Sequence, residues 1–229
     1  MINIKKNYTI SIKLLIFLIL LISCSSKEKD SASVVLNDIQ IYKSGLSSLE
    51  NENYKKAIIE FDNLSLNHPF SSLAKKSDIM TAYSLYQNNE IKKSISKLKI
   101  FIEMNPNDEF SDYAHYLLAM CYYIQVSNQG RDPSLSIKAL NSFMLIITKY
   151  PNSKYAKDSK LKIQYIKNSL ANNELDIGKF YLKKNAPASS IKRFKSILLN
   201  YQNTSSIPET LYRLTEAFLM IGLKKEAVK

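Results

Sequence analysis

Residues 42–69 read YKSGLSSLENENYKKAIIEFDNLSLNHP, and this stretch decides the fold. It contains two small residues, a large apolar residue and a proline, namely Gly45, Ala57, Phe61 and Pro69. Two helices approach closely only where a side chain is nearly absent, and Pro cannot continue a helix because it lacks the backbone N–H. The stretch therefore predicts a pair of helices that cross at Gly45 and end before Pro69.

The same spacing returns along the rest of the chain. The second unit has Ala82, Ser94, Leu98 and Pro106; the third has Ala119, Tyr122, Ala139, Phe143 and Pro151; the fourth has Gly178, Tyr181, Ser190 and Phe194, with Gln202 in place of Pro; a fifth begins Leu211, Leu214, Phe218, Gly222 and Ala227. This is the pattern of the tetratricopeptide repeat (TPR), a helix pair of about 34 residues. It predicts an all-α, TPR-like helical-hairpin solenoid of about five repeats.

Two stretches depart from this register. The two helices of the third unit are separated by an insertion with loop chemistry, residues 129–134, in which Asp132 or Ser134 could cap the following helix. After Pro151 there are 17 residues more than the repeat allows, without Gly or Pro, and apolar residues recur at threes and fours. We expect one long helix from Tyr155 to Lys184 that joins a three-repeat N-terminal part to a two-repeat C-terminal part.

The N-terminus carries an export signal. Lysines precede an unbroken apolar run over residues 14–22, which is about half the length of a membrane span and therefore favours a signal peptide over a retained helix. Leu21-Ile22-Ser23-Cys24 resembles the lipobox of bacterial lipoproteins, which implies a covalent lipid on Cys24. The alternative is an ordinary secreted protein with an incidental cysteine. Ser25 follows the cysteine where Asp commonly marks retention in the inner membrane, so the resemblance implies the outer membrane.

These features divide the chain into four predicted segments. They are a lipoprotein signal peptide (1–23), a flexible lipidated tether (24–33), N-terminal repeats 1–3 (34–154), and the long helix with C-terminal repeats 4–5 (155–229). The formal charge is +12, or about +9 without the three lysines of the signal peptide. Because the lysines are scattered in ones and twos, we interpret them as a solvated surface and expect no nucleic-acid partner.

No catalytic pattern stands out. The chain has two histidines, His68 and His115, no His/Cys/Asp group with metal-ligand spacing, and no nucleotide or hydrolase fingerprint. Cys121 lies in an apolar helical stretch and is interpreted as a core residue. We expect no enzyme activity, no metal and no cofactor other than the lipid on Cys24.

The lipobox, five divergent repeats, Arg131-Asp132-Pro133 in the insertion, Lys149-Tyr150-Pro151-Asn152-Ser153-Lys154-Tyr155 and the long helix together resemble the BamD family. The departures are Gln202 and a short C-terminal helix. The resemblance implies a non-enzymatic scaffold on the periplasmic face of the outer membrane. Its partners would be the barrel-forming assembly subunit (BamA), other assembly lipoproteins and unfolded outer-membrane proteins, with Arg193 a candidate at the subunit interface. The alternative is another TPR envelope lipoprotein, one that assists pilus or secretin assembly or cell-envelope division.

The repeat register also predicts a peptide-binding groove. The first helix of each TPR pair lines the concave face at the positions three before, one after and four after its small crossing residue. These positions hold Tyr42, Leu46 and Leu49, then Ile79, Tyr83 and Tyr86, then Tyr116, Met120 and Tyr123. Tyr offers a rigid ring with a polar tip, which suits an extended peptide with aromatic side chains. Since outer-membrane barrel strands commonly end in such residues, we expect the groove to bind a substrate's C-terminal segment, with lysines such as Lys76 near its carboxylate. The alternative is that these tyrosines only pack between helices or against the tether.

Overall fold

A computed structural model describes residues 37–126 and 133–228. The signal peptide, Cys24, the tether and Asp132 lie outside the described residues. All regular secondary structure of the described residues is helical. The helices are α1 Asp38–Glu50, α2 Tyr54–Asn67, α3 Ala74–Gln87, α4 Ile91–Met104, α5 Ser111–Tyr123, α6 Ser134–Lys149, α7 Ala156–Lys183, α8 Pro187–Asn200, α9 Ile207–Met220 and α10 Lys224–Ala227.

Each helix packs against the one before it and the one after it, as expected of a solenoid. The pairs are α1 with α2, α3 with α4, α5 with α6, α7 with α8, and α9 with the single turn α10. This arrangement confirms the predicted all-α, TPR-like solenoid, including the long helix, which has 28 residues. Helix α6 begins at Ser134 with Pro133 at its N-cap, so Ser134 is the first helical residue and the prediction that it caps this helix is wrong.

The pairs are held together at the predicted crossing points. A Cβ atom added to Gly45 would lie 2.6 Å from Cε1 of Phe61, and one added to Gly178 would lie 2.3 Å from Cε1 of Phe194. Both rings are fully buried, so they occupy the space that a side chain on the glycine would need. The second pair instead crosses at Ala82, which lies in one buried cluster with Leu98.

Polar side chains fix the turn that leads from each pair to the next. Ser71, Asp108 and Ser153 each accept a backbone N–H two residues further on, at 3.0, 3.0 and 3.2 Å. Each also contacts a residue in the first turn of an earlier helix: Ser71 donates to Asp38 (2.6 Å), Lys75 to Asp108 (2.9 Å) and Ser153 to Asp112 (2.6 Å). These three contacts, which we call the junction contacts, lie at equivalent places of the repeat.

The turns inside the first, second, fourth and fifth pairs share a backbone feature. Glu52, Asn89, Asn185 and Gly222 all have positive φ, at 55°, 60°, 54° and 77°. This left-handed conformation suits Gly and Asn and costs other residues free energy. Glu52 is therefore the least suited residue of the four.

Candidate functional site

The N-terminal part of the solenoid collects a group of tyrosines from several helices. We define the tyrosine surface as Tyr83, Tyr86, Tyr113, Tyr116, Tyr123, Tyr155 and Tyr165. All except Tyr165 are partly buried. Four of the predicted groove residues, Tyr83, Tyr86, Tyr116 and Tyr123, belong to it.

Stacked rings hold the centre of this surface together. Tyr116 and Tyr155 stack with ring centroids 4.7 Å apart and an interplanar angle of 19°. Tyr113 lies 5.3 Å from the ring of Tyr155. Because Tyr155 precedes α7 while Tyr113 and Tyr116 belong to α5, the stack joins the third repeat to the long helix.

A charged pair completes this junction. The Tyr116 hydroxyl donates to Oδ2 of Asp158 at 2.6 Å, and Lys162 Nζ donates to Oδ1 of the same carboxylate at 2.9 Å. Lys162 Nζ also lies 5.6 Å from the ring centre of Tyr123. The positions of Tyr116 and Tyr123 are therefore set by contacts within the chain as well as by the helix.

Burial controls the protonation of these phenols. Burial, with a further contribution from Tyr155, raises the pKa of Tyr113. Burial and the hydrogen bond to Asp158 raise the pKa of Tyr116. Burial also raises the pKa of Tyr86. The hydroxyls remain protonated near neutral pH and act as hydrogen-bond donors, and that of Tyr116 is already used by Asp158.

The first helix pair contributes less to this surface than its register suggested. Tyr42 is 7% exposed, and its ring lies 5.5 Å from that of Phe61. Leu46 is partly buried against the same cluster. Tyr42 is therefore mainly a packing residue, and it offers a ligand little surface.

Leu161 and Tyr165 extend the concave positions along α7. They are 67% and 62% exposed, and the Tyr165 ring lies 6.0 Å from that of Tyr123. Leu161 follows Pro151 at the same spacing as Tyr116 follows Pro106, and Tyr165 follows Pro151 at the same spacing as Met120 follows Pro106. The same count finds them in the sequence if the start of α7 is placed in the repeat register rather than outside it.

A cavity of about 550 Å³ opens beside the first turns of α3 and α5. Its apolar lining comes from Ile79, Met80, Phe110, Tyr113 and Tyr155, and its polar lining includes Lys76, Lys154, Glu109 and Asp112. The cavity and the tyrosine surface share Tyr113 and Tyr155. Together they form one continuous candidate site for a peptide.

Arg193, the predicted interface residue, lies on α8 and is 40% exposed. Its Nη1 donates to both carboxylate oxygens of Glu174 on α7, at 3.2 and 3.1 Å. The guanidinium is therefore paired within the chain and only its outer part is open to a partner.

The remaining reactive side chains are accounted for by packing. Cys121 is fully buried, which confirms it as a core residue, and burial raises the pKa of its thiol to about 11. Burial, with Lys149 nearby, lowers the pKa of His115, which lies 5.6 Å from the ring of Tyr150. Within residues 37–126 and 133–228, no group of His, Cys, Asp and Glu has the geometry of a metal site.

No helix in the described part of the chain is long and apolar enough to span a membrane.

Comparisons with known proteins place this architecture in a family. A family model described as outer membrane lipoprotein, YfiO, matches residues 36–229. The outer membrane protein assembly factor BamD of Rickettsia prowazekii is 39% identical over 216 residues, which cover 94% of this chain and 86% of that protein. BamD of Caulobacter vibrioides is 36% identical over 187 residues, which cover 82% of this chain and 61% of that protein.

A solved structure shares the fold alone. The TPR2AB-domain:pHSP90 complex of yeast Sti1 aligns with a TM-score of 0.52 over 83% of this chain and 73% of that chain, at 12% identity. Fold and sequence together lead to one assignment. The chain belongs to the family of outer membrane lipoproteins that includes the assembly factor BamD.

Proposed function

We propose that this chain is a non-enzymatic scaffold of outer-membrane β-barrel protein assembly. The observation that carries the proposal is the 39% identity to an outer membrane protein assembly factor over 94% of the chain. A solenoid of helix pairs supports it, because such a fold presents long faces to other proteins and separates them by a fixed distance.

The scaffold faces the periplasm and is held to the outer membrane by lipid on Cys24. Several acyl chains bind a bilayer far more stably than one, so this anchor alone suffices. Replacing Cys24 with Ser tests the anchor: the chain should leave the membrane or accumulate as uncleaved precursor. Membrane retention of the variant after carbonate extraction would contradict this.

The C-terminal repeats bind the barrel-forming subunit, BamA, with Arg193 at the interface. Arg193→Glu alone is an ambiguous test, because it would also place two carboxylates together where Arg193 and Glu174 now pair. The charge-swapped variant Arg193→Glu with Glu174→Arg keeps the internal pair and reverses the outward charge. Association with the subunit should weaken in the swapped variant while helicity is unchanged; undiminished co-purification would exclude Arg193 from the interface.

The tyrosine surface binds extended segments of unfolded outer-membrane proteins, including their C-terminal ends. Aromatic side chains supply much contact area at a low cost in conformational entropy. Tyr83→Ala with Tyr165→Ala should weaken binding of a peptide that ends in Phe, while the circular dichroism spectrum stays unchanged. We choose Tyr165 rather than Tyr116 because Tyr116 bonds to Asp158 and its loss would disturb the junction with α7.

One experiment decides between this role and other envelope roles. The full lipidated chain is immunoprecipitated from solubilised envelopes, and the co-purifying proteins are identified by mass spectrometry. Recovery of the barrel-forming assembly subunit and its accessory lipoproteins is the expected result. Recovery of a secretin or a peptidoglycan synthase without that subunit would overturn the proposal.

A further inference from the structure

The second helices of the first three pairs, α2, α4 and α6, lie on the side of the array away from the tyrosine surface. The first helices α3 and α5 contact each other directly and carry the tyrosines. Lys97 of α4 joins two neighbouring pairs, because its Nζ lies 2.8 Å from Oδ1 of Asp62 on α2 and 3.1 Å from Oδ1 of Asp78 on α3. We define the outer face as the exposed residues of α2, α4 and α6.

Lysines and large apolar residues dominate the outer face. Seven of its residues are lysines, whereas one, Glu103, is acidic. Seven more are large apolar residues that are 37% to 74% exposed. Helix α4 alone contributes Lys92, Lys93, Lys99, Ile100 and Met104. By contrast α1, α3 and α5, which are described throughout, expose a single large apolar residue, Ile39.

Much of the positive charge on the outer face is not neutralised by the chain. Lys92, Lys99 and Lys138 form no ion pair with any residue in the described ranges 37–126 and 133–228. Lys93 does pair, with Glu90 close to it in the chain, but such an exposed pair is weak and opens readily. The lysines of α4 and α6 are therefore available to an anionic surface.

The partly exposed carboxylates of these helices do not cancel this charge. Asp62 is held by Lys97. Glu60 accepts hydrogen bonds from Ser44 at 2.6 Å and Ser48 at 2.7 Å. Both carboxylates are thus bound inside the array.

The apolar residues of the outer face recur on adjacent helices. Single exposed apolar side chains are common on protein surfaces, but a repeated set among lysines is typical of segments that lie at a membrane interface. A cavity of about 500 Å³ between α2 and α4 belongs to the same face, and Ile58, Ile100 and Lys92 are among its lining residues. Apolar and cationic groups therefore meet at one place.

We infer that the outer face binds the surface of a membrane that contains anionic phospholipids. The ammonium groups of the lysines bind lipid phosphates, while side chains such as Ile100 and Met104 enter the boundary between headgroups and acyl chains. The inference goes beyond the scaffold role and uses from it only the lipid on Cys24, which keeps the chain at a bilayer. The tyrosine surface then faces away from the membrane.

A label on the outer face of the full lipidated chain tests this. Ser96 is an exposed polar residue of α4, and Ser96→Cys accepts a thiol-reactive NBD fluorophore, because Cys121 is fully buried and Cys24 is acylated. In vesicles of phosphatidylcholine and phosphatidylglycerol, lipids with a nitroxide on the acyl chain should quench the label. Phosphatidylcholine vesicles should give much less quenching. A label that is unquenched in both would overturn the inference, as expected if the face instead binds an acidic protein.

A label at Leu161→Cys is the control for position. Leu161 is also apolar and is 67% exposed, but it lies at the concave positions beside the tyrosine surface. Its label should stay unquenched in both kinds of vesicle. Equal quenching at the two positions would mean that the fluorophore itself enters the bilayer, and the inference would fail.

Charge variants localise the effect. Lys92→Gln, Lys99→Gln and Lys138→Gln together, in the chain labelled at Ser96→Cys, should lower the ratio of membrane-bound to free outer face by about a hundredfold, or about fivefold for each lysine.

A matched triple variant removes the same charge elsewhere. Lys43→Gln, Lys76→Gln and Lys157→Gln change exposed lysines of α1, α3 and α7, none of them on the outer face. Quenching at Ser96→Cys should be unchanged. Equal losses in the two triple variants would show that only net charge matters and would count against a defined face.

Flotation separates this inference from the proposed function. If the chain floats with the vesicles but the label at Ser96→Cys is not quenched, the lipid anchor stands and the outer face does not bind membrane. If the chain does not float, the anchor and the inference are both wrong. If the label is quenched but the assembly subunit is not recovered from envelopes, the membrane face stands and the assembly role is wrong.

Discussion

The first and second helix pairs occupy equivalent places in the register but fill them differently. Where the first has Gly45 against Phe61, the second has Ala82 with Leu98. The junction contact Asp38–Ser71 of the first becomes Lys75–Asp108 in the second. The difference teaches that each place in the repeat constrains a combination, the summed volume at the crossing and a hydrogen-bonded polar pair at the junction, rather than one residue type.

Changing the helix crossing of the first pair should have the largest effect on stability. Gly45→Ala brings a Cβ to 2.6 Å from the buried ring of Phe61, and we expect a loss of about 2 kcal/mol in the free energy of unfolding. Gly45→Ala with Phe61→Leu copies the second pair and should recover much of the loss. Urea unfolding followed by circular dichroism measures both.

A third variant is the control for the crossing. Ala82→Gly in the second pair relieves no contact and should cost about 1 kcal/mol through backbone entropy and a small void. If Gly45→Ala were harmless, or if Phe61→Leu failed to improve it, the crossing would not be governed by combined volume.

Changing the junction contact of the second pair should have the second-largest effect on stability. Lys75→Asp puts a second carboxylate beside Asp108, whose side chain is only 9% exposed, and should cost about 1 kcal/mol. Adding Asp108→Ser creates an Asp–Ser contact like those at the first and third junctions and should restore stability. Thermal unfolding compares the two, and an equally unstable double variant would mean that the three junctions are not interchangeable.

The turn inside each pair offers a smaller, stabilising change. Glu52 has φ of 55°, where the second pair places Asn89. Glu52→Asn should raise the free energy of unfolding by about 0.5 kcal/mol, because Asn tolerates the left-handed region better than Glu. The reciprocal Asn89→Glu should lower it by a similar amount; no change in either urea midpoint would show that the surrounding turn absorbs the difference.

Lowering the pH should have the smallest effect of these tests, and it acts on the carboxylate of Asp108 in the second junction. Burial acts to raise the pKa of Asp108, but bonds from Lys75 and the backbone of Phe110 outweigh it and leave the pKa below 3.8. Since the folded pKa is depressed, the carboxylate's contribution to stability is present above pH 3.8 and is lost as pH falls through the lower folded value. Asp108→Asn should therefore show a shallower loss of melting temperature between pH 5 and pH 3, on the order of a degree or two.

Glu109→Gln is the matched control for the acid series. It removes the neighbouring exposed carboxylate, which makes none of the junction contacts, and should keep the wild-type slope with pH. A wild-type slope in Asp108→Asn as well would show that other carboxylates dominate acid unfolding.

The predicted fold follows from local spacing alone. A small residue, a large apolar residue and a terminating proline recur because each helix pair must solve the same packing problem. The predicted cap at Ser134 failed because the chain places Pro133 at the N-cap, which makes Ser134 the first helical residue of α6. Many residues together decide whether a helix forms, whereas one or two residues decide where it begins or ends.

The candidate site was only half visible in the sequence. The register identified the face on which Tyr42, Tyr83 and Tyr116 lie, because side-chain direction follows from helix periodicity. It could not tell that Tyr42 is covered, which depends on Phe61 and on Lys76 above its ring. It also passed over Tyr113 and Tyr155, which lie outside the three standard groove positions.

The sequence by itself determined the class of the molecule: helix pairs in tandem, a long helix between two groups of repeats, and membership of a lipoprotein family. The helix pairs and the long helix rest on periodicity and spacing, which act between residues close in the chain, whereas the family rests on the resemblance of the lipobox and other motifs. Only the tertiary structure decided which tyrosines remain accessible, which lysines lack a carboxylate partner and which residue pairs form the junctions. Those properties arise from residues about 30 to 40 positions apart that the stacking of repeats brings together, and no local pattern encodes them.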